Sequence, residues 1–173
     1  MSQPEKSSRD TADRRSDETF TRASEALDRG DKPTAFRLFL KGAEEGDRYC
    51  EFNVASCYYG AAGTKKSFAE ALRWYWRAYR HGLPYAATSI GLVLRDNGSR
   101  RRSLAWFHRG LRGGDDCAAL ELAKEYVAKR RQLTTAVRYL RRVTRSWKVS
   151  VADREEAEGL LETLGRGSRA QRR

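Results

Sequence analysis

The sequence predicts an all-α fold, a solenoid of about four antiparallel helix hairpins. Three observations predict it. Apolar residues recur at helical spacing in segment after segment. Glycines close the segments at regular intervals. The segments also align with one another at a period of about 34 residues, two helices to a unit. Only 3 prolines occur in 173 residues, and alternating β-branched runs are scarce, so strands have little support.

The clearest segment is Phe68–Gly82, FAEALRWYWRAYRHG. Ala71, Trp74, Tyr75, Ala78 and Tyr79 fall on one helical face, with Arg73, Arg77 and Arg80 opposite. Residues 1–16 are polar and charged and are expected to form a disordered tail. From residue 17 the pattern changes. Phe20, Ala23, Ala26 and Leu27 outline a short helix that Gly30-Asp31 stops. Pro33 opens the next helix, Pro33–Glu45, at a position where its missing N–H costs nothing. Its buried stripe is Ala35, Leu38, Phe39, Gly42 and Ala43. Arg48–Gly60 carries Cys50, Val54, Ala55 and Tyr58 on one face.

A glycine-rich loop, Gly60–Lys66, leads into the Phe68 helix. After Leu83-Pro84 comes a helix with Ala86, Ile90, Gly91 and Leu94, then the turn Asp96-Asn97-Gly98-Ser99. Arg102–Arg112 carries Trp106, Phe107, Gly110 and Leu111. Asp116–Lys129 carries Ala118, Leu122, Ala123 and Tyr126, and Leu133–Ser146 carries Ala136, Tyr139, Leu140 and Val143. A last helix near Val151–Leu164 buries Leu160, Leu161 and Leu164, leaving 165–173 as a basic tail. The helical-repeat domain is therefore expected over 17–164.

The repeat places Gly46, Gly82 and Gly114 in register, at offsets of 36 and 32 residues. Phe39, Tyr75, Phe107 and Leu140 become equivalent, as do Gly42, Ala78, Gly110 and Val143. Small residues at such positions let antiparallel helices approach within about 8–10 Å.

One copy reads Cys50-x-x-x-Val54-Ala55-x-x-Tyr58-x-Gly60-x-x-Gly63-Thr64, then Ala71-x-x-Trp74-Tyr75-x-x-Ala78-x-x-x-Gly82. A second runs from Ala86 through Ile90-Gly91 and Trp106-Phe107 to Gly114, without the glycine-rich loop. A third runs from Ala118 through Leu122-Ala123 and Tyr139-Leu140 to Val143, without the closing glycine. This pattern resembles the Sel-one-like repeat (SLR) family, a relative of the tetratricopeptide repeat, over about residues 20–164. The resemblance implies a right-handed superhelix and a role in protein–protein interaction, as adaptor or scaffold. It also implies that the first helix of each hairpin lines a concave groove. Carried over, the groove shows Tyr49, Phe52, Ser56 and Tyr59, then Tyr85, Thr88, Leu92 and Arg95, then Cys117, Leu120, Lys124 and Val127. Aromatics beside a few cations suit a peptide or a partner helix.

Net charge is +12 and uneven. Residues 1–30 carry 6 Lys+Arg against 7 Asp+Glu, residues 31–100 carry 11 against 7, and residues 101–173 carry 18 against 9. Such a field favours acidic partners and gives salt-sensitive attraction to nucleic acid. Stacked outer helices would align Arg73, Arg77, Arg80, Arg109, Arg112, Arg138, Arg141 and Arg142 into a basic ridge. An outward helix face must be polar in any case, and this plain reading outweighs nucleic-acid binding through the ridge. Trp74 and Trp106 sit on buried stripes and are not stacking platforms.

Catalysis finds no support. His81 and His108 have no Ser, Cys or Asp at a telling spacing. The Gly60–Lys66 loop lacks phosphate-loop spacing and follows no strand. Cys50, Cys57 and Cys117 lack a Cys-x-x-Cys arrangement, and Cys50 and Cys57 stand about 10 Å apart on one helix, so neither zinc nor a disulfide is expected. They read as buried small side chains. No metal or cofactor is expected. No stretch approaches the roughly 18 apolar residues of a membrane span, and no apolar segment near the N-terminus reads as a signal, so the expected location is the cytoplasm. The expected function is non-enzymatic binding of a partner protein in the groove. A cytosolic immunity or antitoxin-type protein that caps a toxin is a second version of it.

Overall fold

A glycine followed by a capping aspartate sets three of the junctions between helices. Gly46 takes φ +93°, a left-handed conformation that ends one helix, and its N–H donates to the Ala43 carbonyl at 3.2 Å. Asp47 follows at once. Its Oδ1 accepts from the N–H groups of Tyr49 and Cys50 at 2.7 and 2.8 Å, starting the next helix. The pair recurs as Gly30-Asp31 and Gly114-Asp115, whose aspartates cap through Thr34 and Cys117. A chain that stops and restarts a helix within a few residues has to fold back on itself, which produces the hairpins.

The computed structural model describes the backbone of residues 8–170 and the side chains of residues 18–166. Its elements are α1 (Ser8–Asp28), α2 (Lys32–Glu44), α3 (Arg48–Gly60), α4 (Phe68–Arg80), α5 (Ala86–Asp96), α6 (Arg100–Arg112), α7 (Asp116–Ala128), α8 (Leu133–Thr144) and α9 (Val151–Ala170). The described residues contain no strand. The fold is an all-α repeat of paired helices, and α9 follows the fourth pair. Residues 1–7 of the expected tail, and 171–173 of the basic one, lie outside the described residues. The backbone of residues 8–16 continues α1, which meets no proline or glycine before Gly30. α9 likewise runs past the expected boundary at 165 to Ala170.

The chain divides into two units, Met1–Ala86 and Ala87–Arg173. In the first, α1 packs on α2, α2 on α3 and α3 on α4. Its core is Ala23, Ala26, Ala35, Phe39, Cys50, Val54, Ala55, Ala71, Trp74, Tyr75 and Ala78, all buried. Small residues outnumber large ones because the helix axes are close. Gly42 shows how close: a Cβ there would meet the Cys50 sulfur of α3. In the second unit, α6 packs on α7, α7 on α8 and α8 on α9, while Gly91 and Phe107 bring α5 and α6 together. Leu120, Ala123, Ala136, Leu140, Val143 and Ala157 form one buried cluster there.

Several expectations about the core change, and Leu38 of the expected α2 stripe is only half-buried. Leu27 is 38% exposed; it lies about 100° round the helix from Ala26, past the edge of the buried arc. Trp106 is half-buried while its neighbour Phe107 is fully enclosed. Leu160, Leu161 and Leu164 are only partly buried, and Ala157 is the α9 residue that enters the core. Cys50 and Cys57 are buried free thiols as expected, whereas Cys117 is half-buried.

Candidate functional site

The expected groove residues of the first unit begin on α3. Tyr49 is 45% exposed and Tyr85, in the turn after α4, is 38% exposed. Phe52 lies between them and the core. Its ring meets Tyr85 at 4.9 Å and Tyr75 at 5.0 Å, both edge-on. Tyr49 leans edge-on against Phe20 at 6.2 Å, and the Arg48 guanidinium lies 5.1 Å from the Tyr49 ring. Burial pushes the Tyr85 hydroxyl's pKa up, Tyr49 adds to the shift, and Arg48 opposes it. Arg48, Tyr49, Phe52 and Tyr85 are thus one aromatic cluster with one cation.

Ser56 and Tyr59 are used differently. Ser56 Oγ shares a 2.9 Å hydrogen bond with the Tyr75 hydroxyl, facing α4. Tyr59 packs near Phe68 at 6.2 Å, and Lys66 sits over both rings at 5.7 and 4.9 Å. The glycine-rich loop is pinned beside this pair. Gly63, at φ +73°, comes so near the Lys32 carbonyl at the start of α2 that no side chain fits. Close packing on another backbone explains its glycine without a phosphate.

Beneath the aromatic cluster lies a group that sequence reasoning missed. Glu51 is fully buried. Its carboxylate accepts from Arg77 Nε at 2.9 Å and from His81 Nδ1 at 2.8 Å. A carboxylate only accepts, so the ring proton sits on Nδ1. Arg77 also donates to the Ala43 carbonyl at 3.3 Å, and Arg48 to the His81 carbonyl at 3.4 Å. The network ties α2, α3 and the end of α4 together, and the His81 carbonyl holds the Arg48 guanidinium. Its members lie 26 and 30 residues from Glu51, and an acid in a first turn reads as surface charge, so no local signal marks it.

In the second unit the expected groove residues diverge. Thr88 and Leu120 are buried, at 4% and 2% exposure, and are not available to a partner. Thr88 faces Gly110 of α6, where a Cβ would collide with its hydroxyl oxygen. Leu120 belongs to the cluster with Ala136, Leu140 and Ala157. α7 touches α6, α8 and α9, so its helix has little open face left. Leu92 is half-buried. Arg95 pairs with Glu121 in a very short contact and with Asp96 at 3.5 Å. Lys124 pairs with Glu121 at 3.4 Å and Glu156 at 2.9 Å. Burial alone would lower the pKa of both cations; Glu121, with Asp96 for Arg95 and Glu156 for Lys124, outweighs it and raises them. Both charges are therefore committed inside the unit. Cys117 and Val127 pack at the edge of the core cluster.

Five of the eight expected ridge residues lie over aromatics. Arg73 and Arg77 lie over Trp74 at 5.3 and 4.5 Å, and Arg80 over Trp76 at 5.0 Å. In the second unit Arg109 lies over Trp106 at 4.7 Å and Arg138 over Tyr139 at 5.6 Å. Such contacts are worth about 0.5–1 kcal/mol at exposed sites. Arg73 also pairs with Glu70 at 2.8 Å and Arg142 with Asp116 at 2.6 Å. Arg112 and Arg141 are exposed. Arginine on these helices thus serves packing as well as charge.

His108 Nε2 lies 3.3 Å from the Tyr126 hydroxyl. Burial, then the nearby Arg112, pushes its pKa below the ordinary value. Burial is also the first cause that pushes the Cys50 and Cys117 thiols up to about 12, with Asp47 and Asp115 adding to it. Among the described residues no three His, Cys, Asp or Glu side chains gather as a metal-holding group. No described helix is long and apolar enough to cross a membrane.

No family model matches the sequence, and no curated protein matches it. Solved structures do. A protective antigen of uropathogenic Escherichia coli strains, displaying an SLR fold, is similar over 70% of this chain at 16% identity and a TM-score of 0.61. A Sel1 repeat protein from Oxalobacter formigenes is similar over 62% of this chain at 26% identity and a TM-score of 0.50. The chain spans 29% and 47% of those two proteins' lengths. Its helical repeat is SLR-like, as the motif around Trp74-Tyr75 leads one to expect.

Proposed function

We propose that this SLR-like chain is a non-enzymatic protein-binding module whose binding face in the first unit is Arg48, Tyr49, Phe52 and Tyr85. One observation carries the reading: two tyrosine rings stand 45% and 38% exposed on a support of packed aromatics. Rings held in this way lose little entropy on binding, and tyrosine and arginine are the residues that most often dominate an interface. Phe52 holds Tyr85, Phe20 holds Tyr49, and the Glu51 network holds Arg48 through His81. The partner is a protein segment with an apolar surface for the rings and an acceptor or acid for Arg48.

The test is affinity capture from the native host, with the captured protein then purified and titrated. Tyr49→Ala and Tyr85→Ala should each weaken binding by about 2 kcal/mol, roughly thirtyfold, with helicity unchanged. Equal affinity of both variants and the wild type overturns the assignment.

A further inference from the structure

A second surface lies in the other unit, on α8 and α9, and does not depend on the aromatic cluster. Leu133, Val137, Leu161 and Leu164 line an open hollow of about 570 Å³ between the two helices. Leu133 is 40% exposed there. A second open hollow, about 510 Å³, adjoins it and is lined by Arg138, Arg141, Arg142 and Arg145. The two share Thr134, Val137 and Arg141. No acidic residue lines either. Arginines at these spacings on one helix repel each other unless an anion sits among them. Asp116 neutralises Arg142. Among the described residues, no acid pairs with Arg138, Arg141 or Arg145.

We infer that this face docks an acidic amphipathic helix of a partner protein. An apolar slot beside a row of cations asks for an occupant with aliphatic and anionic groups side by side. Both hollows are open to solvent, so the far side of the occupant stays in water, as with an amphipathic helix in a groove. Arg138 and Arg141 of α8 and Arg145, which caps its C-terminus, span about 10 Å, which matches acids at i, i+3 or i+4, and i+7 on a helix lying alongside. Leucines at the same spacing fill the slot between α8 and α9. Overall charge opposes the nearer occupants. A second copy carries +12, and residues 167–173 of this chain hold three arginines and no acid.

The probe is a fluorescein-labelled peptide of about 18 residues, long enough to hold a helix, with leucine at i, i+3, i+4 and i+7 and glutamate flanking them. The full chain should bind it saturably. Arg141→Ala with Arg145→Ala should weaken binding by at least about tenfold, and so should serine in place of the peptide's leucines. Arg80→Ala with Arg109→Ala removes equal charge elsewhere and should leave binding intact. Equal loss in both double variants, or equal binding of the serine peptide, reduces the effect to general charge attraction and overturns the proposal. Direct binding of duplex RNA or of phosphatidylserine vesicles that is lost with Arg141 and Arg145, without saturable peptide binding, assigns the face to another class and also overturns it.

Discussion

Gly91 of α5 lies against the ring of Phe107 of α6, so close that a Cβ on Gly91 would stand 2.5 Å from two ring carbons. Phe107 is fully enclosed and has nowhere to turn. Gly91→Ala gains about 1 kcal/mol of helix propensity but overpacks a site whose penalty is about 1–3 kcal/mol. The net result should be a lower urea midpoint. Gly159, in the middle of α9, has open space where its Cβ would be. Gly159→Ala should therefore raise the midpoint, by up to about 1 kcal/mol. The contrast separates a packing glycine from an incidental one.

The Glu51–Arg77 pair gives a second expectation. Arg77→Ala strips the main cation from a fully buried carboxylate and should cost about 3 kcal/mol or more. Glu51→Gln should cost about 1.5–3 kcal/mol, since the Arg77 guanidinium left behind is partly in water. The double variant should be less destabilised than the sum of the two, because the second change removes the charge the first one stranded. Chemical denaturation of all four proteins measures it.

The thiols should be inert in the folded chain. With pKa values of about 12 for Cys50 and Cys117, and burial raising that of Cys57, little thiolate exists near neutral pH. Alkylation at pH 8 should be slow in buffer and rapid at all three cysteines in guanidinium chloride.

His108 sets a pH trend. Its folded pKa lies below the ordinary 6.5 because burial, then Arg112, disfavours the imidazolium. The unfolded chain therefore binds this proton first as pH falls. The stability His108 contributes is complete above about 6.5 and is lost as pH drops from there through the lower folded value. Comparing Tm between pH 7.5 and 5 for wild type and His108→Gln should show a smaller fall in the variant.

What the sequence made legible was local. The helix-closing glycines and the stripe Ala71-Trp74-Tyr75-Ala78 follow from spacing within a few turns, and the match of Gly91 to Ala55 follows from the repeat offset. Tyr49, Phe52 and Tyr85 were legible as a set because a repeat offset places them on corresponding faces. Leu120 and Thr88 were misplaced because projecting a helix wheel assumes one open face: α7, which carries Leu120, is covered by α6, α8 and α9, and Thr88 of α5 packs against Gly110 of α6. Glu51 was invisible because its partners come from the far end of the next helix. The arginines read as a solvated ridge, and their seats on Trp74, Trp76 and Trp106 are set by side-chain geometry that periodicity does not encode.

The proposed binding face is tested most directly by site-specific photo-crosslinking in the native host. A benzophenone side chain replaces Tyr49, Tyr85 or, as a control, Trp76, which is 46% exposed and lies on α4. The account predicts that positions 49 and 85 label the same protein and position 76 does not. Labelling of that protein from position 76 alone, or no labelling from 49 and 85, contradicts it.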